Sequence, residues 1–514
     1  YPSLSLRIRA MSFWKVRRLT GLLRPSNSAR ASVQASIRSS IVQRRKRFCR
    51  QWSMVEMRIS ADRLRGIRRF FCKKSKISAT AQIGCAQGSE LCIVKFATMK
   101  TISGYDIKIF TDNIEPSALE QIERLLSIDV FSDKKIRIMP DVHAGAGCVI
   151  GFTGNLGDKV IPNIVGVDIG CGMRVARMRC GDIDYHKFNA HILANVPSGM
   201  WVRDEKRGFS PLAGEALDIY RRAKELVRQL ACYRELKDVK RIYKSIGTLG
   251  GGNHFIELDR DDAGNIYLVI HTGSRNLGKQ VADIYQSLAV KRLSGWDEIM
   301  ERQKRMIEEY KAAGRRAELQ GAIASLHREF RMSAPLLPRE LCYVDGCARE
   351  DYLHDMRICQ QWAVLNRTLI EMLLLQFFGD CEVLERFESV HNYISDDNMI
   401  RKGAISAASG ERCIIPLNMR DGSLICTGKG NPDWNCSAPH GAGRTMSRSE
   451  AYRLVDIEDF RRSMEGIYSE CVNDSTRDES PMAYKPAAEI MANIGPAVTV
   501  DTVIRPVFNF KASV

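Results

Sequence analysis

The stretch Val165-Gly-Val-Asp168-Ile-Gly-Cys171-Gly-Met173 sets an aspartate and a cysteine three residues apart among three glycines. A carboxylate and a thiolate at this spacing can bind one divalent ion or bridge a pair of them. The glycines permit the sharp turn and close backbone approach that such a site needs. Asp-x-x-Cys also arises in ordinary turns, so the segment gains weight only from four distant histidine motifs. These are Gly252-Asn253-His254-Phe255, Ile270-His271-Thr272-Gly273-Ser274-Arg275, Val390-His391-Asn392 and Pro439-His440-Gly441-Ala442-Gly443-Arg444.

Each histidine has a bland explanation. His254, beside Phe255, could be a satisfied core group, but Gly250–Gly252 before it cost backbone entropy that a fold-only role hardly justifies. Backbone amides near Asn253 would suit a phosphate or nucleotide. His271 ends an apolar strand and opens into a small-residue turn, where mixed folds place ligands. His391 alone would count as structural. Taken with Asp168 and Cys171, the three complete a mixed donor set suited to Mn, Fe or Zn, in which a shared thiolate could hold two ions. His440 has small neighbours that leave its ring unobstructed and Arg444 four residues on, which suits nucleophilic attack on phosphorus. Gly428-Lys429-Gly430-Asn431-Pro432 lacks the full spacing of a phosphate loop. His186, His191, His327 and His354 read as surface groups, and Cys148 and Cys180 as buried small side chains.

Around these motifs the pattern is α+β. Strands are expected at Tyr105–Thr111, Lys135–Met139, Val149–Gly154, Ile164–Asp168, Tyr267–His271, Ile414–Pro416, Ser423–Thr427 and Ala497–Phe510. Helices are expected at Pro116–Ile128, Pro211–Tyr233, Asn276–Leu293, Asp297–Arg331 and Ala348–Phe378. The expected organisation is one catalytic domain over residues 99–514, a mixed β core with a helical insertion at about 276–378.

The net charge of +17 suggests nucleic acid until it is divided along the chain. Residues 1–98 hold 22 Lys+Arg against 3 Asp+Glu, leaving 55 and 57 in the remainder. The basic character therefore belongs to an Arg/Ser-rich extension and not to the body. A transit peptide, an RNA-binding arm and sequence translated from upstream of the true start, at Met99, all fit this extension; the last is the expectation here. No apolar run reaches a membrane span. The sixteen cysteines include no CxxC pair, and mostly buried thiols in a reducing, cytoplasmic setting are expected.

Several blocks resemble the RtcB RNA-splicing ligases: Pro140–His143, Val165–Gly172, Gly247–Glu257, His271–Arg275, Arg401–Ala404, Ser437–Arg448 and Pro481–Lys485. They fall in the family's order from about residue 99 to the end. The resemblance implies a GTP- and Mn(II)-dependent ligase joining RNA 3′-phosphate or 2′,3′-cyclic phosphate ends to 5′-hydroxyl ends. By motif, Asp168, Cys171 and His254 would hold one manganese, and Cys171, His271 and His391 a second. His440 would carry GMP. Asn253, Glu257, Asn392, Ser423, Tyr484 and Lys511 would contact guanine or phosphate, with Gly441, Ala442 and Gly443 beside the nucleophile. Pro416, Asn418 and Met419 lie in the expected nucleotide loop, where many members read Pro-Gly-Ser-Met and this chain reads Pro416-Leu417-Asn418-Met419-Arg420-Asp421. Some members need an archease-like activator. Two other readings stay open: a metal-dependent phosphoesterase or nucleotidyltransferase acting on another phosphorylated end, and a non-catalytic RNA-binding regulator. The second expects a lost ligand or nucleophile, and none is lost.

Overall fold

The computed structural model describes residues 100–512 apart from 103, 205–207, 210, 332–334, 336 and 380. The basic extension expected over 1–98 lies outside the described residues.

Period-2 apolar patterning builds two large sheets. The first comprises β1 (Lys100–Thr101), β2 (Ile107–Ile109), β3 (Ile136–His143), β4 (Ile150–Asn155), β11 (Tyr393–Ile394) and β12 (Met399–Lys402). Its order is β1-β2-β3-β4-β12-β11, with β2 and β3 parallel. The second comprises β6 (Gly172–Arg179), β7 (Phe255–Arg260), β8 (Ile266–Thr272), β10 (Glu382–Val390), β14 (Arg412–Asn418), β15 (Gly422–Gly428) and β17 (Val498–Lys511). It is antiparallel throughout, in the order β10-β6-β8-β7-β17-β15-β14.

The second sheet curls until its two edges meet: the Ile414 N–H donates to Ser389 Oγ at 3.0 Å, and Arg412 Nε to Glu385 at 3.0 Å. This closure blunts two edges that would otherwise expose unpaired backbone. Met173, Val175, Tyr267, Val269, Ile414, Ile425 and Ile504 fill the inside. Ile256, Leu258, Leu268 and Ile270, on the opposite face, pack on helix Tyr185–Asn195 and on Ile370 and Leu374.

That last pair belongs to helix Gly346–Phe378, whose buried residues run from Tyr352 to Leu374. The helical region expected over about 276–378 is present, but its two ends are core. Helices Arg275–Leu293 and Gly346–Phe378 share the largest apolar cluster with the first sheet. Only the pair between them, Trp296–Ala312 and Arg316–Arg331, is mostly exposed. The continuous helix expected over Asp297–Arg331 breaks at Gly314, whose φ of 70° ends the first segment.

Ile164–Asp168 is not a strand. Pro162 opens a one-turn helix, Pro162–Val165, because its fixed φ suits a first helical position, and Gly166 at φ 101° ends it. Cys180 is also not a free buried thiol: just beyond the paired ends of β6 and β10 it forms a disulfide with Cys381.

Arg367, fully buried on the long helix, ties these parts together. Its Nη1 donates to Gly170 O and Thr272 O, both at 2.9 Å, and its Nη2 to Glu388 at 3.1 Å. Arg367→Ala would leave buried carbonyls and a carboxylate unpaired. Chemical denaturation should show a loss of about 3–5 kcal/mol.

Candidate functional site

The turn after Gly166 is held from three sides. Cys171 N–H donates to Asp168 O at 3.2 Å, Gly170 N–H to Asn392 O at 2.9 Å, and His391 N–H to Cys171 O at 2.8 Å. Gly172 cannot carry a side chain, since a Cβ there would stand 2.6 Å from Ser389 O. Asn392, at φ 66°, donates from Nδ2 to Asp168 O at 3.3 Å and accepts from Gly403 N–H at 2.9 Å. Its observed contacts pin this turn, and it does not line the large cavity described below.

The second sheet brings the distant histidines to the turn. His271 is opposite Met173 on β8, His254 immediately precedes β7, and His391 immediately follows β10. Two donor groups result, Asp168–Cys171–His254 and Cys171–His271–His391, each with ligand atoms within 4.8 Å of one another. Cys171 Sγ belongs to both, 3.5 Å from His254 Nε2 and 3.4 Å from His271 Nε2.

The donor chemistry fits divalent cations. His254 Nδ1–H donates to Leu249 O at 2.9 Å and His271 Nδ1–H to Asn253 O at 3.1 Å, which turns both Nε2 lone pairs inward. His271 and His391 face each other through Nε2 atoms 3.4 Å apart. Burial drives both well below the ordinary imidazole range, so they are neutral ligands. Burial opposes ionisation of Asp168, yet the hydrogen bond and charge of His254 and the charge of Arg275 hold it below its usual value. Burial, with the Asp168 charge, pushes the Cys171 thiol well up in the absence of a cation. A bound cation reverses that balance and makes the thiolate the stable form.

His440 follows β16 (Ser437–Pro439), which pairs with β13 (Ala404–Ser406). Its ring centroid is 4.8 Å from that of His391. Asp141, fully buried on β3, accepts from His440 Nδ1–H at 2.7 Å and from the His440 backbone N–H at 3.1 Å. This fixes the tautomer and leaves Nε2 with its lone pair. Gly443, at φ 77°, allows the chain to cross Asp141, where a Cβ would stand 2.3 Å from Asp141 O. Asp141 also organises a second imidazole: His143 Nδ1–H donates to Asp141 O at 2.9 Å, and burial lowers its pKa to about 4.

Beside His440 lies a cavity of about 640 Å³. Asn253, Glu257, Pro416, Asn418, Met419, Gly441, Ala442, Gly443, Tyr484 and Lys511 line it, as the sequence led one to expect. Ser423 does not; it is fully buried on β15 opposite Pro416. The unusual loop is closed by its own side chains, Asn418 Nδ2 donating to Asp421 at 2.8 Å, while Met419 packs into a neighbouring apolar cluster.

Sequence reasoning missed the cavity's central acid, Glu479. It accepts from Lys511 Nζ at 2.9 Å, Tyr484 OH at 2.7 Å, Arg448 at 2.7 Å and Arg444 at 3.4 Å. Burial opposes its ionisation, but the charges of Lys511, Arg448 and Arg444 hold it down at about 2. Its run, Asp478-Glu479-Ser480, carries no local signal. Asp141 was visible within the Pro140–His143 block, though not its partner. Glu257 accepts from Asn509 Nδ2 at 3.0 Å, and burial pushes it up to about 8. The Gly428–Pro432 loop serves structure: Lys429 Nζ donates to Gly495 O at 2.5 Å.

A histidine oriented by a buried acid, a two-part donor cluster and a cavity of guanidinium, amide and carboxyl groups suit an enzyme that moves phosphoryl groups. A family model described as tRNA-splicing ligase RtcB matches residues 121–512. RNA-splicing ligase RtcB1 of Escherichia coli ATCC 25922 is 30% identical over 443 residues, covering 80% of this chain and 98% of that protein. RNA-splicing ligase RtcB of strain K12 matches at the same identity and coverage. The tRNA-splicing ligase RtcB of Aeropyrum pernix is 24% identical over 449 residues, covering 71% of this chain and 85% of that protein. The chain belongs to the RtcB family and is an RNA ligase. Among the described residues no helix is long and apolar enough to cross a membrane.

Two outcomes follow from this geometry. Cys171→Ala removes the sulfur common to both donor groups, and elemental analysis of purified protein should find most of the bound divalent metal gone. Glu479 has a lowered folded pKa, so its stabilisation is present above about pH 4.5 and is lost as pH falls toward about 2. Unfolding measurements should find Glu479→Gln weaker than the parent by roughly 3 kcal/mol at neutral pH. That gap should narrow below pH 4.5.

Proposed function

We propose that this RNA ligase consumes GTP to join RNA 3′-phosphate or 2′,3′-cyclic phosphate ends to 5′-hydroxyl ends, in tRNA splicing or RNA repair in the cytoplasm. The observation that carries the reading is His440. Its Nδ1–H is held by buried Asp141, which leaves Nε2 as a nucleophile between the cavity and the cysteine-centred cluster. Mn(II) ions held by Asp168, Cys171 and His254 and by Cys171, His271 and His391 supply charge neutralisation and polarisation of phosphorus when bound.

His440 Nε2 forms a bond to the α-phosphorus of GTP, and the bond to pyrophosphate breaks. Asp141 stabilises the positive charge that develops on the ring, because it already accepts the Nδ1 proton. An oxygen of the RNA 3′-phosphate then takes the guanylyl group, which frees the imidazole. The 5′-hydroxyl oxygen attacks the activated 3′-phosphorus, loses its proton, and GMP leaves. A cyclic end is first opened by water. Glu257, Tyr484 and Lys511 are assigned to guanine and Asn253 to phosphate, while Arg444 offers a cation in the cavity wall. Ser423 and Asn392 act from behind it, Ser423 beneath Pro416 and Asn392 through the Asp168 turn.

The test is transfer of label from α-labelled GTP or ATP to the full chain with Mn(II). Acid-labile label from GTP alone is expected, and none with His440→Ala at unchanged metal content. Label from ATP would overturn the nucleotide assignment, and label surviving in His440→Ala would overturn the nucleophile.

A further inference from the structure

Large apolar side chains at the rim of a polar site are uncommon, and this site has two in sequence: Met200 is 76% exposed and Trp201 51%. They sit on a tight turn closed by Trp201 N–H donating to Ser198 O at 3.1 Å. The turn is laid against the glycine segment that delivers Asn253 and His254. Ser198 bridges Gly250 in parallel, and Gly199 N–H donates to Gly250 O at 2.9 Å. A Cβ on Gly251 would stand 3.6 Å from Gly199 Cα. Two guanidiniums lock the turn from outside: Arg241 Nη2 donates to Met200 O at 2.6 Å, and Arg275 Nη2 to Gly199 O at 3.3 Å. On the other flank of the glycine segment, a Cβ on Gly252 would meet Arg448 Nη2 at 3.8 Å.

Behind the indole runs a groove of about 340 Å³ that includes Leu193, Val196, Phe510 and Lys511. Lys511 also lines the nucleotide cavity, so the groove shares a wall with that cavity. The indole is therefore exposed beside the ligand-bearing loop, with arginines on both sides and no helix or sheet laid over it.

We propose that Trp201 is a stacking platform for a base of the RNA strand whose end is being joined, with Arg241, Arg275 and Arg448 neutralising neighbouring phosphates. This rests on RNA being the substrate. A flat aromatic face supported by a rigid turn, next to several guanidiniums, is the combination that holds single-stranded nucleic acid with little sequence preference. The cations and the continuity with the cavity favour a nucleotide over an apolar protein segment as the occupant. Trp201 is a positioning residue: it binds the strand at a distance from the reacting phosphorus.

The test titrates the full chain with an oligoribonucleotide carrying a 3′-phosphate and a 5′-hydroxyl, alongside protein labelling by α-labelled GTP. Trp201→Ala should raise the RNA Kd by about 5- to 150-fold, the range that loss of one base–aromatic stack predicts. Trp201→Phe should keep most of the affinity, and GTP labelling should match wild type in both variants. RNA affinity unchanged in Trp201→Ala overturns the proposal and leaves the patch to another partner. Loss of GTP labelling in both variants assigns Trp201 to folding and overturns it equally. Absence of label in the wild type bears on the nucleotide reading alone, and the affinity comparison still decides the platform.

Discussion

Five potential ligands, one thiol, one carboxyl and three imidazoles, converge in a space from which water is largely excluded. Buried polar groups must be hydrogen-bonded, neutralised or placed on a cation. Here the outward nitrogens of His254 and His271 are satisfied by backbone carbonyls, whereas the inward atoms face only one another. Cys171 sits where both groups meet, and no arrangement of protons within the protein satisfies every inward lone pair. The rest of the structure follows from the need to hold this convergence in place: the curled sheet, the glycine turn and the buried Arg367.

Asp141 imposes the same kind of constraint on the second half of the site. One buried carboxylate accepts both the side chain and the backbone of His440, while its carbonyl fixes His143. The two imidazoles differ in partner and so in chemistry. His440 has an anion to stabilise a ring that becomes positive; His143 has only a dipole and is kept neutral by burial. The opposite polarity appears across the cavity, where Glu479 is surrounded by three cations and stays ionised. Glu257 has little to offset its burial and holds its proton up to about pH 8. Environment, more than residue type, sets what each group can do.

The local turn at Asp168–Cys171 was legible because glycine spacing is a local property. The five ligands and His440 were legible because strand ends and small-residue turns leave clear marks. The helical stretches at both ends of 276–378 were visible for the same reason, as period 3.6 is a local signal. What the sequence could not tell was that these two helices are core and only the middle pair is exposed, since burial depends on what the rest of the chain places against them.

By itself, then, the sequence determined the donor set, the nucleophile, most of the cavity lining and the α+β class, because each depends on residue type and short spacing. Tertiary structure alone decided the partners. Asp141 meets His440 across 299 positions, and Glu479 collects Lys511, Arg444 and Arg448 from separate segments. Trp201 comes to the glycine loop through a bridge from Ser198 to Gly250. Cys180 finds Cys381 because β6 and β10 end side by side. Such pairings have no local signature; they exist only once the strands have chosen their register.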